Sequence, residues 1–183
     1  MRRKKMHLFS IRQSENVKNP IKIVDFDSRL YHYNMAKDEV SALPKLAVGY
    51  YNDFENVEFP AIIHEPVFMV DNELKKLLKL YEREMIFRGL HVYDDKRDEQ
   101  NVKMHSYWAP GVEAYTCGHP DMKVLPNGSV EKLILHQDKI PQRDVFKVGD
   151  IREERVIVTE AVVESILRRH MYGICIEEVE IGR

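Results

Sequence analysis

A pattern that occurs twice constrains this chain more than any other feature. Val67-Phe68-Met69-Val70 runs into Asp71, then Leu74, Leu77, Leu78 and Tyr81 at helical spacing, and a second apolar run follows Gly89. Later, Val156-Ile157-Val158 runs into Thr159, then Val162, Val163, Ile166 and Leu167, and a second apolar run follows Gly173. Each copy reads as strand, capped helix, strand. Asp71 and Thr159 are good N-caps, because a short side-chain oxygen can accept from the free N–H groups of a first helical turn. Glu73 puts negative charge at one helix start, and Arg168, Arg169 and His170 put basic groups at the other helix's end, as the helix dipole favours. The spacing predicts a first helix reaching Glu84 or beyond. Without a gap, Val67 aligns with Val156 and Leu78 with Leu167. Two copies are too few for a solenoid. A duplication around one core, with pseudo-twofold symmetry, and a coincidence of two common units both fit. The expected class is α+β, with mostly antiparallel sheet and two similar strand–helix–strand units.

The bulk properties narrow the class of function. At 183 residues the chain suits one domain, and such a length buries roughly 70% of its unfolded surface without help from disulfides or metals. Basic and acidic residues nearly cancel, 28 against 30, which argues against a dedicated nucleic-acid binder. Cys117 and Cys175 form no disulfide framework, and Cys175, in an apolar run, reads as a buried core thiol. The basic start at 1–5 is followed by polar residues rather than an apolar stretch, so it reads as no secretion signal. No run approaches ~18 apolar residues. The expectation is a cytoplasmic protein without membrane association.

Between the repeats the pattern is weaker. Residues 1–19 read as an N-terminal arm, partly mobile, with His7–Ile11 as an edge strand, and residues 20–183 as a single domain. Ile21–Asp27 alternates as a strand that puts Asp25 and Asp27 on one face. The stretch from Tyr31 to Ala42 reads as irregular, and Lys45–Tyr51 and Val102–Trp108 as strands. Asn127-Gly128 between two apolar-containing runs predicts a hairpin with a tight turn.

No motif carries chemistry unambiguously. His64-Glu65 is followed by Pro66, which forbids the helix a zinc-protease motif needs. Cys117-Gly118-His119-Pro120-Asp121 brings a thiol, an imidazole and a carboxylate onto one turn, but catalytic partners usually come from distant segments. The eight histidines follow no ligand spacing. No catalytic residue, metal ligand or cofactor is assigned.

Residues 60–181 nevertheless resemble one bacterial family in the order of their motifs. An apolar strand leads to Asp71 and a Leu-rich helix, and Val112-Glu113-Ala114-Tyr115 follows. Next come a hairpin ending in Leu133–Ile140, then Asp144–Val148. Val156–Glu160, a helix, Gly173-Ile174 and an acidic last strand close the series. The series resembles the class-eleven immunity proteins of polymorphic toxin systems. Thr159 stands where members often carry Ser, and Thr116-Cys117-Gly118 where they tend to carry an aspartate pair.

The resemblance implies no catalytic residues. It implies a protein that binds and neutralises a co-encoded toxin. The expected toxin interface combines Asp94, Asp95, Asp98 and Glu99, which would steer a basic toxin cleft, with Tyr107 and Trp108 as aromatic anchors. The rival expectations are an enzyme using the Cys117/His119 loop or a gathered histidine site, and a non-catalytic module of a mobile element.

Overall fold

A computed structural model of the protein describes residues 6–51, 56–94 and 103–183. The chain begins with β1 (Leu8–Gln13), β2 (Ile23–Val24), α1 (Lys37–Ala42), β3 (Leu46–Tyr51) and β4 (Ile62–Ile63). It continues through β5 (Met69–Asp71), α2 (Asn72–Tyr81), β6 (Ile86–Asp94), β7 (Met104–Gly111) and β8 (Ala114–Tyr115). β9 (Lys123–Val124), β10 (Val130–Lys132) and β11 (Ile134–His136) follow. Last come β12 (Val145–Val148), β13 (Val156–Thr159), α3 (Glu160–Arg168), β14 (Ile174–Glu178) and β15 (Glu180–Gly182). The fold is α+β with mostly antiparallel strand pairs. Its two large sheets run in the orders β2-β3-β6-β7-β5-β4 and β14-β1-β13-β12-β8.

The repeated pattern is larger than a strand, a helix and a strand. β4-β5-α2-β6 and β12-β13-α3-β14 are each a hairpin, a helix and a strand. In neither does the last strand pair with its own hairpin. One antiparallel strand lies between: β7 between β5 and β6, β1 between β13 and β14. β7 follows β6 in the chain, whereas β1 comes from the N-terminus. The segment expected at a sheet edge therefore lies inside the sheet, with Leu8 and Ile11 buried. Serine and arginine at its alternate positions disguise it as surface.

The two helices pack antiparallel across this pseudo-twofold. Tyr81, at the end of α2, donates to the Ala161 carbonyl at the start of α3 (2.8 Å), and its hydroxyl lies 2.7 Å from Ser165 Oγ. At the other end, the Glu73 carboxyl is held below its usual range mainly by Lys76, and also by Arg169 from the end of α3. Val70, Leu74 and Leu78 join Val158, Val162 and Ile166 in one core cluster that reaches both sheets.

The register of the repeat differs by one residue from the ungapped alignment. The N-caps Asp71 and Thr159 are equivalent, so Leu78 matches Ile166 and not Leu167. Leu167 is 60% exposed. α2 also stops at Tyr81, short of Glu84. Asp71 caps as expected, accepting from Leu74 N–H at 2.8 Å. Thr159 does not: its hydroxyl donates to Asp144 Oδ1 instead (2.8 Å). Gly89 and Gly173 are not equivalent. Gly89 lies inside β6, while Gly173 turns the chain with φ of 77° against Pro60, where any side chain would collide.

Other segments depart from the sequence pattern too. The strand expected over Ile21–Asp27 ends at Val24, because Asp25 adopts φ of 58° and Asp27 instead holds Arg29 in an exposed two-pronged ion pair. The stretch read as irregular contains α1, whose N-terminal Ala36 N–H is bound by the Glu39 carboxylate (2.6 Å). The hairpin at 123–132 forms, with Gly128 N–H donating to the Leu125 carbonyl and φ of 85°. Among the described residues no helix is long and apolar enough to cross a membrane.

The residue that follows β4 is a half-buried titratable group. His64 Nε2 accepts the Gln13 N–H (3.2 Å), so the ring is neutral there. Burial, then Arg12 and Arg155, push its pKa down to about 4. A histidine whose folded pKa is depressed binds its proton in the unfolded chain first, so it favours unfolding as pH falls from about 6.5 towards 4. Stability should be lost across that window, and His64→Phe should flatten the loss in denaturant titrations. An equal slope in both proteins would rule out His64 as its source.

Candidate protein-interaction surface

The six-stranded sheet carries an open face. β3, β6 and β7 pair so that Leu46, Gly89 and Trp108 form one cross-strand row. Val48, His91 and Ser106 form the next, and Tyr50, Tyr93 and Met104 the third. Alternation along the strands puts all three rows on the same side. The opposite side carries Tyr51, Leu90, Val92 and Tyr107, which are buried in a second core beneath Val40 and Leu43. On the open side α2 covers only the β5–β7 end. Leu46, Val48 and Met104 remain 49%, 54% and 46% exposed, although they are apolar and lie on a regular sheet.

Gly89 makes this face continuous. A side chain there would come within 2.8 Å of both Leu46 Cδ1 and Trp108 Cζ3. Leu46 and Trp108 therefore close over bare backbone and join the helix-covered half of the sheet to the open half. Trp108 is half-buried and fixed on both sides. Its Nε1–H donates to Asn72 Oδ1 (2.6 Å), and Lys75 Nζ sits 3.0 Å from the centre of its ring. Lys75 and Lys79 also lie 5.9 and 6.0 Å from the Phe87 ring. Burial, and then Lys79, lower the Lys75 pKa. Tyr50 and Tyr93 stand 6.4 Å apart with their rings tilted by 45°.

Only part of the interface expected from the sequence is brought together. Trp108 lies on the open face. Tyr107 points the other way, 2% exposed, with its hydroxyl donating to the Pro60 carbonyl (3.0 Å). Burial, and then Asp71, raise its pKa, so Tyr107 is a core residue and not a surface anchor. Asp94 ends β6 opposite Tyr51. Asp95, Asp98 and Glu99 lie outside the described residues. The charge seen on the Trp108 ring is the cation Lys75, and a second cation, Lys79, lies by the Phe87 ring. Leu46, Val48, Tyr50, Tyr93 and Met104 had no individual signal in the sequence; β3 was legible as a strand, but which side a helix leaves open is decided only by tertiary packing.

The Cys117 loop has a different character. Cys117 is fully buried, whereas Cys175, expected in the core, is half-buried. Burial, and then Asp150, push the Cys117 pKa up to about 11, partly opposed by Lys139. At neutral pH about one thiol in 10⁴ is then a thiolate, a poor state for a nucleophile. His119 and His136 do approach each other, with ring centres 5.6 Å apart. Each uses Nδ1 to accept a backbone N–H two residues on, from Asp121 and Asp138. Among the described residues no group of three or more His, Cys, Asp or Glu side chains is placed to hold a metal ion.

No known protein family matches this chain, and no curated protein matches it either.

Proposed function

We propose that this protein binds and neutralises a protein toxin through the open face of its six-stranded sheet. The observation that carries the reading is the apolar continuity from Trp108 across Gly89 to Leu46 and Val48. An apolar sheet face left without a helix or second sheet is a recurrent mark of a protein-binding surface. A half-buried tryptophan at its margin is the residue type that most often dominates binding energy. The order of motifs that resembles class-eleven immunity proteins supplies the kind of partner.

The test uses the product of the neighbouring gene as the toxin, in a growth-protection assay and by surface plasmon resonance. Leu46→Ser and Val48→Ser replace exposed side chains, so the fold should persist. Together they should speed dissociation roughly tenfold or more, since contacts at the centre of an interface act mainly on the off-rate. Trp108→Ala should do the same. Cys117→Ala should keep full protection. Unchanged binding by folded Leu46/Val48 variants would place the interface elsewhere, and lost protection in a folded Cys117→Ala protein would favour an enzyme.

A further inference from the structure

Two cations border the open face, and among the described residues neither has a carboxylate partner. Lys76, one residue from Lys75, is paired with Glu73 (2.7 Å) on the outer side of α2. Lys75 instead lies on the Trp108 ring, and Lys79 reaches only the Met85 carbonyl at 3.4 Å. Asn72, Lys75 and Lys79 follow helical spacing, so α2 presents one amide and two ammonium groups along the margin of the apolar rows. Mutual repulsion and partial burial already weigh on Lys75.

From this juxtaposition we infer that the face takes an acidic protein segment, whose apolar side chains cover Leu46 and Val48 while its carboxylates pair with Lys75 and Lys79. This rests on the reading of the face as a protein-docking surface and reverses the charge expected of the partner from Asp94, Asp95, Asp98 and Glu99. A carboxylate there would relieve the repulsion between the two ammonium groups and complete an indole–ammonium–carboxylate stack, in which the cation keeps its aromatic contact. Exposed aliphatic groups favour a protein over a nucleic acid. Leu46, Val48 and Met104 offer nothing to a base or a phosphate, and the tilted Tyr50–Tyr93 pair is no flat stacking platform.

Trp108 is the only tryptophan in the chain, so its emission reports on this face. Two short peptides, one alternating Leu with Glu and one alternating Leu with Lys, are titrated into the full chain, with oligothymidylate as a third probe. The acidic peptide should change Trp108 emission saturably and bind roughly tenfold tighter than the basic one at low salt. In the Lys75→Gln/Lys79→Gln protein that preference should vanish, with the circular dichroism unchanged. The inference is overturned if the basic peptide or the oligonucleotide binds better, if neither peptide alters the emission, or if the double variant keeps the preference. Failure of toxin protection with the acidic preference intact would sink the toxin reading alone. Protection without the preference would sink only the charge assignment.

Discussion

Lys147→Met should destabilise the protein by about 3–5 kcal/mol, the usual cost of stranding one member of a buried ion pair. Lys147 is 4% exposed and Glu154 8%. Lys147 Nζ donates to Glu154 Oε1 (3.0 Å), to the Met35 carbonyl (2.7 Å) and to Asn34 Oδ1 (3.2 Å). The same clasp includes the Glu154 N–H donating to the Tyr33 hydroxyl (2.7 Å) and Asn34 Nδ2 donating to the Arg152 carbonyl. It ties the 33–36 segment, which leads into α1, onto the five-stranded sheet. Removing the lysine leaves a buried carboxylate whose Oε2 already lacks a partner among the described residues. Glu154→Leu should cost less, because Lys147 keeps two acceptors. The double variant Lys147→Met/Glu154→Leu should recover most of the loss, since an apolar pair of similar volume avoids desolvating two charges. Chemical denaturation of the three proteins decides it. A loss below about 1 kcal/mol for Lys147→Met would mean the clasp is solvated and does not anchor the segment.

That clasp also shows where sequence reasoning reaches its limit. Val145-Phe146-Lys147-Val148 was legible as a strand, yet nothing in it revealed that the lysine is buried. Its acceptors come from Glu154 across the hairpin and from Asn34 and Met35, more than a hundred positions away. The α2 helix was legible because cap, first-turn charge and apolar stripe agree within ten residues. α1 was not: it has six residues and buries only Val40. β1 was misread because an interior strand that carries Ser10 and Arg12 looks polar, although Ser10 is 3% exposed. Arg12 is neutralised there by Glu15 and Glu177, both at 2.9 Å, and Glu177 is distant in sequence. The return strand was expected only after Gly89, whereas β6 starts at Ile86 and runs through it, because chain position alone cannot distinguish a turn from a strand over which two side chains close. At the candidate surface, Trp108, singled out for its residue type, lies on the open face, while Tyr107 faces the core, because a one-residue shift along a strand reverses the face.

The pseudo-twofold leads to the second large effect. Leu78 and Ile166 occupy equivalent places on α2 and α3, 0% and 2% exposed, and both belong to the core that joins the two sheets. Leu78→Ala and Ile166→Ala should each cost about 2–5 kcal/mol, from lost burial and from the cavity left behind. Leu77, 2% exposed on the same helix, should behave alike, whereas Leu167→Ala should cost little. That contrast separates the observed register from the ungapped alignment, in which Leu78 would match Leu167. The symmetry adds a stronger condition. Each helix packs on its own sheet and on the other helix, through Tyr81 to Ala161 and Ser165. Neither half can then loosen alone, and the truncations should shift one common unfolding transition, seen alike by Trp108 fluorescence in one sheet and by far-ultraviolet circular dichroism over both. Two separated transitions in Ile166→Ala, with Trp108 unfolding later, would show that the halves are independent and that the shared core does not couple them.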